Sequence, residues 1–156
     1  MTLDTSAVLA ILQDEPERTE FVSRIEQAPR RLMSTVSVLE AAMVLEGRRG
    51  EDAGLDLDLF LLRASVETVP FDAEQLQLAR TAFRRFGKGR HAAGLNFGDC
   101  AAYALAQWSG EPLLFKALEY LIFGPLPAGY DVYLHPIAFA GWVGIFITAL
   151  NMIPIG

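Results

Sequence analysis

Along residues 1 to 116 short extended runs alternate with longer stretches in which apolar positions recur at helical spacing. The first extended run is residues 1–4, and helices follow over 6–12 and 15–27, separated by Pro16. A second strand fits 31–34 and feeds a strong helix that starts at Val36 and runs to about Gly47, where the glycine suggests a stop. After the loop RRGED, residues 55–64 are helical, and 66–69 are β-rich and end at Pro70. The next helix covers 72–85, with Asp72 as its cap and Glu74 in the first turn, where an acid suits the helix dipole. Gly87, Gly89 and Gly94 then open a loop. A helix over 97–108 carries the small or apolar Ala101, Ala102, Leu105 and Ala106, and 112–115 is a last short apolar strand. Strands alternating with helices predict an α/β fold, a parallel sheet with helices on both faces.

The pattern changes near residue 117. All 13 Lys and Arg lie in residues 1–116 together with 17 of the 19 acidic residues, a net charge of -4 for that part. From Pro136 to Ile153 the chain is an uncharged, largely apolar run of 18 residues, which meets the minimum of about 18 for a membrane-spanning candidate. The expected organisation is therefore one domain over 1–116 and a hydrophobic helical tail over 117–156. The tail could associate with a membrane, and its glycines and Pro136 weaken it as a straight helix. A total of 13 basic against 19 acidic side chains does not announce a nucleic-acid binder, so any such binding must rest on local patches. A lone cysteine, Cys100, excludes an internal disulfide and a thiolate-rich zinc site, and the start of the chain lacks the basic lead of a secretory signal. The expected setting is cytoplasmic.

Carboxylates fall where a parallel sheet collects ligands, just beyond the carboxyl ends of its strands. Asp4 ends the first strand, Asp99 opens the helix after the glycine loop, and Glu119 follows the last strand by four residues. Glu40 joins them from the helix STVSVLEAAMVLEGR, where helical spacing places it beside Val36, Met43 and Val44 on the apolar side. Each also has a plainer reading: Asp4 and Asp99 as helix caps, Glu40 as a rim or salt-bridge residue, and Glu119 as part of an unrelated tail. Carboxylates facing one pocket repel one another, a divalent cation relieves that repulsion, and hard oxygen ligands select Mg2+ or Mn2+ over zinc.

The segments LDTSAVLAIL, STVSVLEAAMVLEGRRG, FRRFGKGRHAAGLNFGDCAAYALA and GEPLLFK, in this order and spacing, resemble the PIN-domain ribonuclease toxins of the VapC type. The resemblance covers about residues 1–116. It implies that Asp4, Glu40 and Asp99 occupy the acidic positions that hold the metal, and that Ser6 orients ligands or water beside Asp4. It implies an endoribonuclease of a toxin–antitoxin system, silenced by a cognate antitoxin, and a homodimer. The family supplies a further acid after the strand that reads PLLF here, and Glu119 stands in about that place, with an arm one carbon longer than the usual Asp. An arginine of the antitoxin entering the acidic pocket is the implied inhibitor, since guanidinium matches carboxylates in geometry.

A metal can lower the pKa of bound water and relieve phosphate charge, so no side-chain nucleophile is required. The densest basic stretch, Arg84, Arg85, Lys88 and Arg90, interleaved with Phe83 and Phe86, leads toward Asp99 and is the candidate RNA contact; its alternative is a solvated helix end. Arg48 and Arg49 are a weaker second candidate. His91 reads as a surface or RNA-facing side chain rather than a catalytic acid or base, and Cys100 as a small buried residue. The alternatives to a ribonuclease are a catalytically weak module that binds RNA or antitoxin, and a membrane-tethered fusion fragment.

The segment LEYLIFGPLPAGYDVYLHPIAFAGWVGIFITALNMIPIG resembles part of a site-2-protease-type membrane metalloprotease. It carries neither the HExxH helix nor the later aspartate of that family, and His135 alone cannot hold a catalytic zinc, so protease activity is not expected.

Overall fold

The computed structural model describes residues 1–91 and 93–116. Over these residues the chain runs through β1 (Thr2–Leu3), α1 (Thr5–Leu12), α2 (Arg18–Gln27), β2 (Leu32–Ser34), α3 (Thr35–Arg49) and α4 (Asp52–Arg63). It continues through β3 (Glu67–Val69), α5 (Ala73–Phe86), α6 (Phe97–Ser109) and β4 (Leu113–Leu114). The four strands form one parallel sheet in the order β3-β2-β1-β4, so the expected α/β alternation is what the chain builds. From β1 the order steps to β2 and β3 on one side and to β4 on the other, which makes the β1/β4 boundary the switch point where a crevice opens beyond the strand ends.

Because side chains alternate across a strand, neighbouring residues feed opposite faces. Leu3, Met33 and Leu114 join Ala7, Val8, Ile25, Ala41, Leu45 and Leu57, so one face carries α1 to α4. Leu32 and Val69 pack with Leu105 of α6, and Leu113 packs with Ala79 and Ala82 of α5 and Ala102 of α6, so the other face carries α5 and α6.

Several element ends differ from the sequence expectation, each for a local reason. Gly47 does not stop α3; the helix continues to Arg49 and ends at Gly50, whose φ of 84° is a backbone conformation that glycine adopts far more readily than other residues. Residues read as the loop RRGED therefore divide between the end of α3 and the start of α4 at Asp52. Helix α2 begins at Arg18 rather than 15, because α1 closes with Asp14 at φ 57°, the Glu15 N–H donating to Ala10 O and the Asp14 N–H to Ile11 O. That pair of bonds is a Schellman closure, and Ser65 at φ 49° closes α4 in the same way through Leu61 and Leu62.

The hydrophobic tail, with Glu119, His135 and the protease-like segment, lies outside the described residues. Among the described residues no helix is long and apolar enough to cross a membrane.

Candidate metal centre

Asp4 leaves the end of β1 and caps α1. Its Oδ2 accepts the Ser6 N–H at 2.9 Å and the Ser6 hydroxyl at 2.5 Å, and the residue is buried. The two readings of Asp4, as cap and as buried site acid, thus describe one side chain. Ser6 Oγ in turn accepts the backbone N–H of Lys116 at 3.0 Å, which fastens the chain leaving β4 to the same spot. The Lys116 ammonium lies 2.5 Å from Glu15 Oε2 and 3.0 Å from Glu17 Oε2.

Glu40 reaches the site from α3. The buried line of this helix is Ser37, Ala41 and Leu45; of the expected apolar side, Val44 packs against the core and Val36 is half-buried, while Met43 is 66% exposed. Glu40 sits half-buried at the edge of the packed line, with Oε2 accepting the Thr5 hydroxyl at 2.6 Å. Its carboxylate head also lies against the backbone of α6. A Cβ built on Gly98 would stand 2.4 Å from Glu40 Oε2 and 2.8 Å from both Cδ and Oε1.

Asp99 is buried in the first turn of α6. Asn96 is the cap of that helix, not Asp99: Asn96 Oδ1 accepts the Asp99 N–H at 2.9 Å, and Asp99 Oδ2 accepts the Asn96 N–H at 2.7 Å. This reciprocal pair is a capping box. Thr5 and Asn96 are the residues around the site that sequence analysis passed over. The spacing N-x-x-D was readable as a capping box, whereas nothing in DTS distinguished the Thr5 hydroxyl from that of Ser6.

The three acids feel one another. Burial raises the pKa of Asp4; burial and then the charge of Asp4 raise that of Glu40. Asp99 is pushed well above the ordinary carboxylate range by burial first, then by the charge of Asp4, with Glu40 adding to it. Burial, helped by Asp99, also pushes the Cys100 thiol up to about 12, so this buried cysteine is a packed, protonated side chain at neutral pH.

Convergence stops short of ligation. Among the described residues no three His, Cys, Asp or Glu side chains form a group able to hold a metal ion as they stand. The oxygens that meet hydrogen-bond partners are turned into Ser6, Thr5 and Asn96. The donor set nevertheless suits a hard cation: it is all oxygen, carries formal negative charge from three carboxylates, and is partly desolvated.

Arg84, Arg85, Lys88 and Arg90 are exposed at the end of α5 and in the following loop. Arg85 and Arg90 lie over the rings of Phe86 and Phe83, at 5.1 and 5.2 Å from the ring centroids. The loop is closed by the Lys88 N–H donating to Leu95 O and the Leu95 N–H donating to Phe86 O, which carries it directly into Asn96 and α6. His91 is exposed, stacks edge-on against Phe86 and accepts the Ala93 N–H at Nδ1. Arg48 and Arg49 are drawn into the fold instead: Arg48 bonds Gln13 Oε1 at 2.7 Å, and Arg49 bonds Asp56 at 3.0 Å.

Residues 1–117 match the family model of the PIN domain. A Ribonuclease VapC of Mycolicibacterium smegmatis is 57% identical over 116 residues, covering 74% of this chain and 90% of that protein. Ribonuclease VapC30 of Mycobacterium tuberculosis is 52% identical over 120 residues, covering 77% and 92%. The crystal structure of Mycobacterium tuberculosis VapC20, described as a sarcin–ricin loop cleaving toxin, shares the fold with a TM-score of 0.60 at 17% identity, over 80% of this chain and 95% of that one. The buried acids at the switch point therefore belong to a chain of the PIN-domain family, a VapC-type ribonuclease toxin of a toxin–antitoxin system.

Proposed function

We propose that Asp4, Glu40 and Asp99 hold a divalent cation, Mg2+ or Mn2+, and that this site cleaves RNA. The observation that supports this most directly is geometric: Thr5, the neighbour of Asp4, bonds Glu40, whose carboxylate head meets Gly98, the neighbour of Asp99, and the charges of Asp4 and Glu40 add to the burial that raises the pKa of Asp99. When bound, a divalent cation supplies an acidified water and offsets charge on the phosphate. Asp4, Glu40 and Asp99 would bind it, directly or through water. Ser6 holds Asp4 through two bonds to one oxygen, Thr5 holds Glu40, and the Asn96 backbone holds Asp99. Such supporting contacts orient ligands before the ion arrives.

Glu119 completes this reading as a fourth acid. The chain is last described at Lys116, whose backbone is bonded to Ser6 beside Asp4, and Glu119 follows three residues later.

A VapC toxin works on RNA and with a cognate VapB antitoxin. Arg84, Arg85, Lys88 and Arg90 guide the RNA backbone toward the acids, since they are exposed and their loop runs into α6. An antitoxin arginine entering the pocket would pair with the same carboxylates that bind the cation. A homodimer is supported by an apolar strip on α3, where Leu39 and Met43, one turn apart, are 62% and 66% exposed.

The test is cleavage of RNA by the purified full chain with and without Mg2+ or Mn2+. Cation-dependent cleavage that disappears in Asp4→Asn and Asp99→Asn is the expected result. RNA capture without cleavage at any cation concentration would make the chain a binding module instead.

A further inference from the structure

Glycine within a helix needs a reason, because alanine in the same place forms the helix more readily. Gly50, Gly89 and Gly110, which lie outside the helices, are explained by a positive φ. Gly98 has no such need; it lies in the first turn of α6 and is not among the glycines of positive φ. Its environment supplies the reason. A methyl group there would overlap the whole head of Glu40, approaching Oε2, Cδ and Oε1 to within 2.8 Å or less.

We propose that Gly98 is a positioning residue, and that the space left by its missing Cβ is the seat that holds the Glu40 carboxylate beside Asp99. The proposal rests on the metal-site reading above. Glu40 is held on two sides: Thr5 Oγ1 donates to Oε2 from α1, and the bare backbone at Gly98 receives the carboxylate on α6. A Cβ at position 98 would drive the head out of this seat. What must move is the tip of a flexible side chain rather than backbone, so the fold itself can absorb the change.

Two other helical glycines define what is special here. Gly47 has nothing within 4 Å of a built Cβ. Gly54 would place its Cβ 2.7 Å from Glu46 Oε1, but Glu46 is exposed and can swing into solvent without leaving any pocket. Only at Gly98 does the neighbouring carboxylate belong to the acidic cluster.

The test compares Gly98→Ala, Glu40→Gln and the double variant in the full chain, with Mn2+ affinity and thermal unfolding as readouts. Gly98→Ala is expected to weaken Mn2+ binding about 10- to 100-fold, as loss of a ligand-orienting contact does, with an unfolding midpoint equal to or above that of the parent. In the Glu40→Gln background the same substitution should cost no further affinity, because its effect runs through Glu40. If Gly98→Ala binds Mn2+ like the parent while Glu40→Gln does not, the seat is refuted and the metal site stands. If Asp4→Asn and Glu40→Gln also leave Mn2+ binding unchanged, the metal-site reading falls and takes the seat with it. A Gly98→Ala chain that does not fold refutes the proposal as well, since the seat requires Glu40, not the backbone, to give way.

Discussion

The Thr5 hydroxyl donates a 2.6 Å hydrogen bond to Glu40 Oε2, joining α1 to α3 across 35 positions of sequence. Thr5 follows Asp4 directly, so the bond fixes a long carboxylate relative to the buried acid of β1. Ordering a glutamate side chain costs up to about 1.5–2 kcal/mol of rotamer freedom, and the hydroxyl meets part of that cost before a cation binds. Thr5→Val keeps the shape and removes the donor. Mn2+ affinity is expected to fall about 10-fold or more, with cleavage falling in parallel, and Thr5→Ser to restore most of both. A calorimetric Mn2+ titration that finds Thr5→Val equal to the parent would remove this hydroxyl from the site.

Raised carboxyl pKa values make the cation-free protein a better folder in mild acid. Asp4, Glu40 and Asp99 all titrate above their ordinary range in the folded chain, so in that window the folded state binds more protons than the unfolded one. Stability therefore falls as pH rises through the window, and the full penalty is present above the raised values. Asp99→Asn removes the most strongly perturbed of these charges, and its amide oxygen can still accept the Asn96 N–H. Without metal, its unfolding midpoint should exceed that of the parent by a few degrees near neutral pH, and the difference should vanish in acid below the unfolded carboxyl range of about 4. Saturating Mg2+ should narrow or reverse the order, because only the parent keeps the full ligand set. Thermal melts across pH with chelator and with Mg2+ would check both signs.

What the chain disclosed in advance follows from how local each feature is. The α/β alternation was legible because helical and extended periods depend on neighbours a few residues away, and Asp4 and Asp99 stood out because strand ends and helix starts are marked by sequence. Glu40 was harder. Its place on α3 was readable, but the packed line through Ser37, Ala41 and Leu45 leaves Met43 outside, and only the position of α3 on the sheet decides that. Gly47 looked able to end the helix, yet α3 runs on to Arg49 and stops at Gly50, the glycine whose φ is positive. Arg48 and Arg49 looked like a basic patch, yet Gln13 and Asp56, distant or on the next helix, take up their guanidinium groups. The contacts of Thr5 and Gly98 with Glu40 link separate elements, and no spacing rule encodes them.

The basic loop after α5 should report itself through salt rather than through stability. Arg84, Arg85, Lys88 and Arg90 are exposed, and Arg85 and Arg90 rest over the rings of Phe86 and Phe83. Each charge that meets a phosphate releases counterions, so its removal should lower the slope of log affinity against log salt by about 0.7 to 1 for RNA. Replacing Lys88 and Arg90 together by Gln is expected to weaken RNA binding at low salt and to reduce that slope by up to about 2, with the unfolding midpoint unchanged. Fluorescence anisotropy with an inactive Asp4→Asn background measures this without cleavage. An unchanged slope would return the cluster to a solvated helix end.

The capping box at α6 separates helix stability from ligand orientation, because its two backbone donors bond two different side-chain acceptors. Asn96 Oδ1 accepts the Asp99 N–H through a side chain, whereas Asp99 Oδ2 accepts the N–H of the Asn96 backbone. Asn96→Ala deletes the first bond and leaves the second donor in place. The cost should be about 1 kcal/mol of stability, the ordinary value of a lost cap, while Mn2+ affinity should change by less than about threefold. Asn96→Asp should recover the stability, since a carboxylate oxygen caps as well as an amide oxygen. Asp99→Ala, by contrast, should lose Mn2+ binding outright, since it removes a ligand of the site. Urea unfolding and Mn2+ titration on the three variants give the comparison. If Asn96→Ala lost metal affinity in step with Asp99→Ala, the Asn96 side chain, and not its backbone, would be what holds the aspartate in place.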